Sequence, residues 1–285
     1  MRVIGIISTK GGVGKTTLAA NLGALAADAG LRVVLVDLDI QPTLSSYFSL
    51  LKRADAGIYE LLACNEHRAE RVISHTSVTN LDLILSNDGH GQLNSLLLHA
   101  PDGRLRLRHL LPLFQTDYDL MLIDTQGARG VLLEVGLLAS ETAVSPVMPE
   151  MLAARELQRG TVQLIQDLAP YRHSGIEPPS LQLVLNRVHP VSSNAQTVQR
   201  ALRQIFTIDN GVRVLETVIP ASEAYPRAAM LGLPVHRVER RRPSGRVALS
   251  ALDTMRALAS ELLPDWTEKF AQVSGTADDV GNQRA

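Results

Sequence analysis

A chain of 285 residues, 45% hydrophobic and 20% charged, can bury a large core in one α/β unit and has the composition of an ordinary globular protein. A net charge of −1 and a pI near 6.7 exclude binding to nucleic acid through the overall field, so any such affinity must come from a local patch or an assembled state. Aromatic residues at 4% argue against a stacking platform for single strands, and the single cysteine, Cys64, excludes an internal disulfide framework. Cys64 lies in an apolar helical pattern and is expected in the core. No run approaches the roughly 18 apolar residues of a membrane span, and the start carries no cationic, apolar leader. A cytoplasmic protein is expected.

Along the chain, Val3–Ile7 reads as a strand, followed by a glycine-rich loop and helical spacing over Thr16–Ala29. Further strands are predicted at Val33–Val36, Leu81–Leu85, Leu120–Ile123, Val144–Val147, Leu181–Leu185 and Val214–Ile219. Helices are predicted at Leu105–Phe114, Met151–Leu168, Asn194–Ile205 and Val247–Leu262. This alternation predicts a single-domain α/β fold, a mainly parallel twisted sheet with helices on both faces, and ligands at the carboxyl ends of its strands. Residues 1–270 are expected to form the domain. Residues 271–285, poor in apolar side chains, are expected to be a disordered tail.

Three segments at predicted strand ends carry chemistry. The run Lys10-Gly11-Gly12-Val13-Gly14-Lys15-Thr16-Thr17 joins a strand to a helix, the context a phosphate-binding loop requires. Its glycines let successive N–H groups turn toward phosphate oxygens, and the helix N-terminus adds a favourable dipole. Lys15 is placed to reach the β- and γ-phosphates of a bound nucleotide, and the Thr16 hydroxyl to ligate Mg²⁺. Asp37 and Asp39 leave the end of a second apolar strand, where desolvated carboxylates need a cationic partner. Asp124 ends a third, the arrangement of a Walker B aspartate that holds magnesium.

Where a standard phosphate loop has its first glycine, this chain has Thr9, and Lys10 stands directly before the glycine pair. This form resembles the deviant Walker A motif of the ParA/MinD ATPases, with motifs in the family's order over roughly Met1 to Leu263. The resemblance implies Mg²⁺-dependent ATP hydrolysis and an ATP-dependent homodimer in which Lys10 reaches the partner's phosphates and acts catalytically with Lys15. It implies that Asp39 positions the attacking water and that Asp37, Thr16 and Asp124 serve the metal. Asn186 and Arg187 match the family's base-recognising pair, and Pro220, within Ile219–Ala224, matches the stretch beside the base. Ser45 and Ser46 fall where the family remodels on binding ATP. Thr125-Gln126-Gly127 departs from the proline pair the family commonly carries after the Walker B aspartate.

Within that family, cluster-bearing ATPases need more cysteines than Cys64. A MinD-like membrane helix is a poor match to Met255–Phe270, which holds Pro264, Glu261, Asp265 and Glu268. No membrane partner is therefore expected. Arg237, Arg240, Arg241, Arg242 and Arg246 crowd one short stretch and are the candidate surface for non-specific double-stranded DNA. Arg104, Arg106 and Arg108 read instead as the solvated face of a helix. The phosphate loop begins within ten residues of Met1, so the chain resembles the short ParA forms without an operator-reading domain. These readings converge on a DNA-partition ATPase, nucleoid-associated when ATP-bound, whose hydrolysis a ParB-like centromere-binding protein stimulates. The competing readings are a positioning ATPase acting on membrane or protein machinery and, less well matched, a small-metabolite kinase.

Overall fold

The computed structural model describes residues 1–150, 153–189, 193–206 and 211–274. Nine strands form one sheet: β1 (Arg2–Ile6), β2 (Val33–Asp37), β3 (Leu50–Lys52), β4 (Ile73–Thr76), β5 (Leu81–Ile84), β6 (Leu120–Asp124), β7 (Thr142–Val147), β8 (Ser180–Val188) and β9 (Val212–Pro220). Their order is β3-β4-β5-β2-β6-β1-β7-β8-β9, parallel from β5 to β9 and antiparallel at β3 and β4. The seven predicted strands are the parallel ones. The antiparallel edge was not visible in the pattern because β3 has three residues, two of them exposed, and β4 interrupts its apolar positions with His75.

Alternation along the buried strands supplies both faces of the sheet. Leu120 and Leu122 of β6 join Val33 and Leu35 of β2 against the first helix, Lys15–Asp28, and the helix Ala251–Leu262. Met121 and Ile123 join Val34 and Val36 on the opposite face, under the helices Gln92–His99 and Val131–Ala139. A third cluster covers β7 and β8 with Leu157, Leu164 and Leu202. Every parallel strand therefore delivers its carboxyl end to one rim, and the predicted motifs sit on that rim.

Several local expectations differ from the structure. The predicted helix Leu105–Phe114 is a short α-helix, Arg106–Leu110, between 3₁₀ turns, because Pro112 lacks the N–H that would continue it. Within the predicted helix Met151–Leu168, a π-helical turn spans Gln158–Val162; Met151 and Leu152 lie outside the described residues. There the wider turn sets Gly160 against Thr9, whose Oγ1 would lie 2.1 Å from a Cβ at position 160. Cys64 is exposed, just past the end of the helix Ile58–Ala63, not in the core. Arg104, Arg106 and Arg108 are not a solvated face: they bond Glu134, Asp102 with Leu62 O, and Leu138 O. Finally, the helix Thr267–Gln272 carries buried Phe270 and leads to buried Val273, so the packed chain runs past residue 270. Residues 275–285 of the predicted tail lie outside the described residues.

Candidate nucleotide site

Strand β1 delivers the chain into a loop that opens the first helix at Lys15. Gly12 at φ 75° and Gly14 at φ 98° occupy the left-handed region, and a Cβ on Gly14 would lie 2.3 Å from Asn186 Nδ2. Lys15 is buried, and desolvation lowers its pKa against the opposing pull of Asp124 and Asp39. A lysine held this way has lost its water and keeps its need for an anion. The Thr16 hydroxyl donates to Asp124 Oδ2 at 2.7 Å.

Asp124 and Asp37 are register partners at the ends of adjacent strands β6 and β2, both essentially buried. Burial pushes Asp124 up to about 7; the Thr16 hydroxyl opposes this, and the Asp37 charge adds to it. Burial likewise pushes Asp37 up to about 6, against the amide and hydroxyl of Ser45, which donate to Asp37 Oδ2 at 2.8 and 2.7 Å. Asp124 Oδ1 is buried and has no hydrogen-bond partner. That orphaned oxygen, the Thr16 hydroxyl and the neighbouring Asp37 form a hard oxygen donor set that fits Mg²⁺ shared with phosphate. Among the described residues, no cluster of three or more His, Cys, Asp or Glu could hold an ion by itself, so phosphate or water must complete the coordination. Asp39, half-buried, caps its own turn by accepting from the Gln41 amide at 3.1 Å.

The segment after Asp124 closes over the loop. Thr125 is buried and donates to Ile6 O at 3.0 Å. A Cβ on Gly127 would lie 2.8 Å from Gly11 Cα and 3.2 Å from Lys15 Nζ, so only glycine fits there. Lys10, in contrast, points outward and donates to Glu150 and Glu156, each at 2.9 Å, and these bonds raise its pKa.

A hollow of about 450 Å³ lies beside the loop, walled by Leu18, Ile219, Pro220, Tyr225, Pro226 and Met255, with Thr17, Asn186 and Arg187 at its rim. It has the size and apolar lining of a site for a nucleotide base. Asn186 does more than face it: Nδ2 donates to Val13 O at 2.7 Å, and Oδ1 accepts from the Arg187 amide at 2.9 Å. Arg187 sits at φ 54°, a strained conformation for a residue with a Cβ, at the mouth of this hollow.

The five predicted DNA-binding arginines do not share one role. Arg237 donates to both oxygens of Asp28 at the end of the first helix, and Arg246 to both oxygens of Glu239. Arg241 and Arg242 are exposed and Arg240 half-buried. Sequence reading missed Asn21, fully buried on the first helix, whose side chain donates to Tyr47 OH at 2.9 Å and accepts from the Val235 amide at 2.6 Å. Partners 26 and 214 residues away leave no local signal.

A family model described as an AAA domain matches residues 1–173. An uncharacterized protein of Mycobacterium tuberculosis is 31% identical, over 92% of this chain and 78% of its own length. The chromosome-partitioning ATPase Soj of Treponema pallidum is 30% identical over 80% of this chain and 87% of its own. Among solved structures, an ATP complex of McdA from Cyanothece superposes with a TM-score of 0.72 at 22% identity, covering 96% of this chain and 95% of that one. The loop built around Lys10 and Lys15, the carboxylate rim and these likenesses agree: the chain belongs to the ParA/MinD family of P-loop ATPases.

Proposed function

We propose that this protein is a partition ATPase that hydrolyses ATP in a Mg²⁺-dependent reaction, closes as a homodimer on ATP, and binds duplex DNA non-specifically in that state. The observation that carries the reading is the rim of buried Lys15, Asp37 and Asp124, with half-buried Thr16 bonded to Asp124. Here a desolvated ammonium and an unpartnered carboxylate oxygen are held in place by the sheet, a costly arrangement that a phosphate–metal ligand would repay. Thr16 and Asp124 would hold Mg²⁺, with Asp37 behind them; the ion supplies charge neutralisation on the phosphate oxygens.

The protein's own groups do the rest. Backbone N–H groups of Gly11–Thr17 and the Lys15 ammonium bind the phosphates. Asp39 orients a water for attack on the γ-phosphorus, and the bond to the β-phosphate oxygen breaks to give ADP and phosphate. Lys10 adds charge from the partner copy. To do so it must leave Glu150 and Glu156, so the monomer holds it in a different set of bonds from the closed dimer. A hollow of about 390 Å³ beside Lys10, with Pro146, Val147, Met148 and Leu157 in its wall, offers apolar surface for that closure. Arg241 and Arg242, exposed and outside the internal ion pairs formed by Arg237 and Arg246, are the arginines best placed for DNA phosphates. A ParB-like partner would then stimulate hydrolysis and release.

The test is binding to random-sequence duplex DNA with ATP, with ADP and without nucleotide, alongside light scattering for dimers. ATP-dependent, salt-sensitive binding is expected. Dimers that ignore DNA would move the reading to a positioning ATPase with another partner, and absence of ATP-driven dimerisation would sink both.

A further inference from the structure

On the far side of the turn Ala221–Glu223 from the base hollow lies a larger cavity of about 1210 Å³, and the two share that turn as a wall. Arg227, Arg237, Arg240, Arg241 and Arg246 line it. Arg237 is engaged by Asp28 and Arg246 by Glu239, which leaves Arg227, Arg240 and Arg241 against Glu223 in the lining. Two guanidinium nitrogens here, Arg240 Nε and Arg246 Nη2, are buried without a hydrogen-bond partner. Elsewhere many described arginines are committed to acids or carbonyls, as at Arg32, Arg68 and Arg106; Arg203 Nε and Arg256 Nε are also buried without a partner, but neither residue lines this cavity. Orphaned N–H donors in a concave, net cationic cavity are what an oxyanion satisfies, and the planar fork of arginine matches a phosphate oxygen pair.

We infer that this cavity is a second anion site, separate from the phosphate loop, which takes a small phosphate-bearing ligand such as a polyphosphate or the phosphates of a second nucleotide. The buried Arg240 Nε and Arg246 Nη2 lie along an open concavity between the shared turn and the segment 237–246, with room for a small phosphate ligand, whereas the exposed Arg241 and Arg242 are the side chains a duplex backbone would reach. Through the shared turn, where Arg246 Nη1 also donates to Ser222 Oγ at 3.2 Å, the site adjoins the wall of the base hollow. The inference does not depend on DNA binding: either can hold without the other.

The test uses the full chain with its phosphate loop saturated by ADP and inorganic pyrophosphate as the probe, followed by calorimetry. One additional saturable site is expected. Arg240→Gln, which breaks no ion pair among the described residues, should weaken it about tenfold or more, and Arg240→Lys should fall between. Arg53→Gln, at an exposed position outside the cavity lining, should leave it unchanged. No second site in the ADP-loaded protein, or one indifferent to Arg240→Gln, would overturn the inference. So would a site filled only by duplex DNA, with pyrophosphate failing to compete; that result would assign these arginines to the partition reading. Pyrophosphate binding without DNA binding would keep the site and remove the DNA surface.

Discussion

The carboxyl rim of the sheet and the segment 235–250 both collect charge, but they treat it in opposite ways. At the rim, Lys15, Asp37 and Asp124 are buried by the strands and helix that carry them, and one Asp124 oxygen has no partner. In the segment, Arg237 and Arg246 are matched to Asp28 and Glu239 within the same chain. Charge density alone therefore does not locate a ligand. Charge that the fold desolvates and leaves incompletely satisfied does, because folding bears that cost only where something else returns it. By the same criterion, Arg237 is a strut, Arg246 is one through Nη1 alone, and the unpartnered Arg240 Nε and Arg246 Nη2 mark the neighbouring cavity.

The sharpest way to break this contrast is Asp124→Asn. Hydrolysis should fall on the order of 100- to 1000-fold. The melting temperature of the nucleotide-free protein should hold or rise, since the change removes a buried carboxylate whose charged form burial opposes. A loss of stability alongside activity would mean that the rim is structural.

Asp28→Ala should do the reverse. It strips the partner from Arg237 and from buried His236, and should cost about 3 kcal/mol in urea unfolding. The same cluster sets a pH signature. Burial raises the Asp28 pKa, but His236 and Arg237 outweigh it and hold the carboxyl at about 2, below its ordinary 3.8. Its contribution is present above pH 3.8 and lost as pH falls toward 2. Burial also lowers His236 below 6.5, against the opposing pull of the Asp28 carboxylate that its Nε2 contacts at 2.8 Å. The unfolded chain takes up a proton as pH falls through 6.5 and the folded chain does so at lower pH, so stability should decline over that range too. Urea titrations from pH 8 to pH 2 should show both steps, and His236→Gln should flatten the upper one.

A smaller effect separates struts from contacts. Arg241→Gln and Arg242→Gln should each reduce the salt slope of DNA binding by about 1 with stability unchanged, whereas Arg237→Gln should destabilise the fold. Smallest is the release of Lys10. Exposed ion pairs are worth about 0.2–1 kcal/mol, so Glu150→Ala with Glu156→Ala should strengthen ATP-driven dimerisation by only about twofold to fivefold. No change in the dimer constant would show that these acids do not compete for Lys10.

Much of this was legible because the phosphate loop is a local device. Its glycines, lysines and Thr16 are consecutive, and the strand before them is apolar throughout, so spacing alone located the cradle. Asp37 and Asp124 were visible as acids ending apolar runs. What stayed hidden was whatever depends on distant partners. Glu150 and Glu156 lie 140 and 146 residues from Lys10, and nothing in their neighbourhoods marks them. Gly127 looked like a departure from pattern, and only the packed structure shows the close approach to Gly11 that requires it. Cys64 misled because an apolar helical pattern does not show where the helix ends. The arginine cluster was found but not partitioned, since pairing with Asp28 is a property of the fold.

Asn186 ties two parts of the site together. The side chain that faces the base hollow also grips the carbonyl of Val13, inside the loop that receives the phosphates. On the proposed reading, the two ends of a nucleotide would be felt by one amide, and a base that displaced Asn186 would also drag the loop's backbone. Selectivity against the wrong base would then surface as a slower chemical step as well as a weaker grip, a form of proofreading that needs no second site.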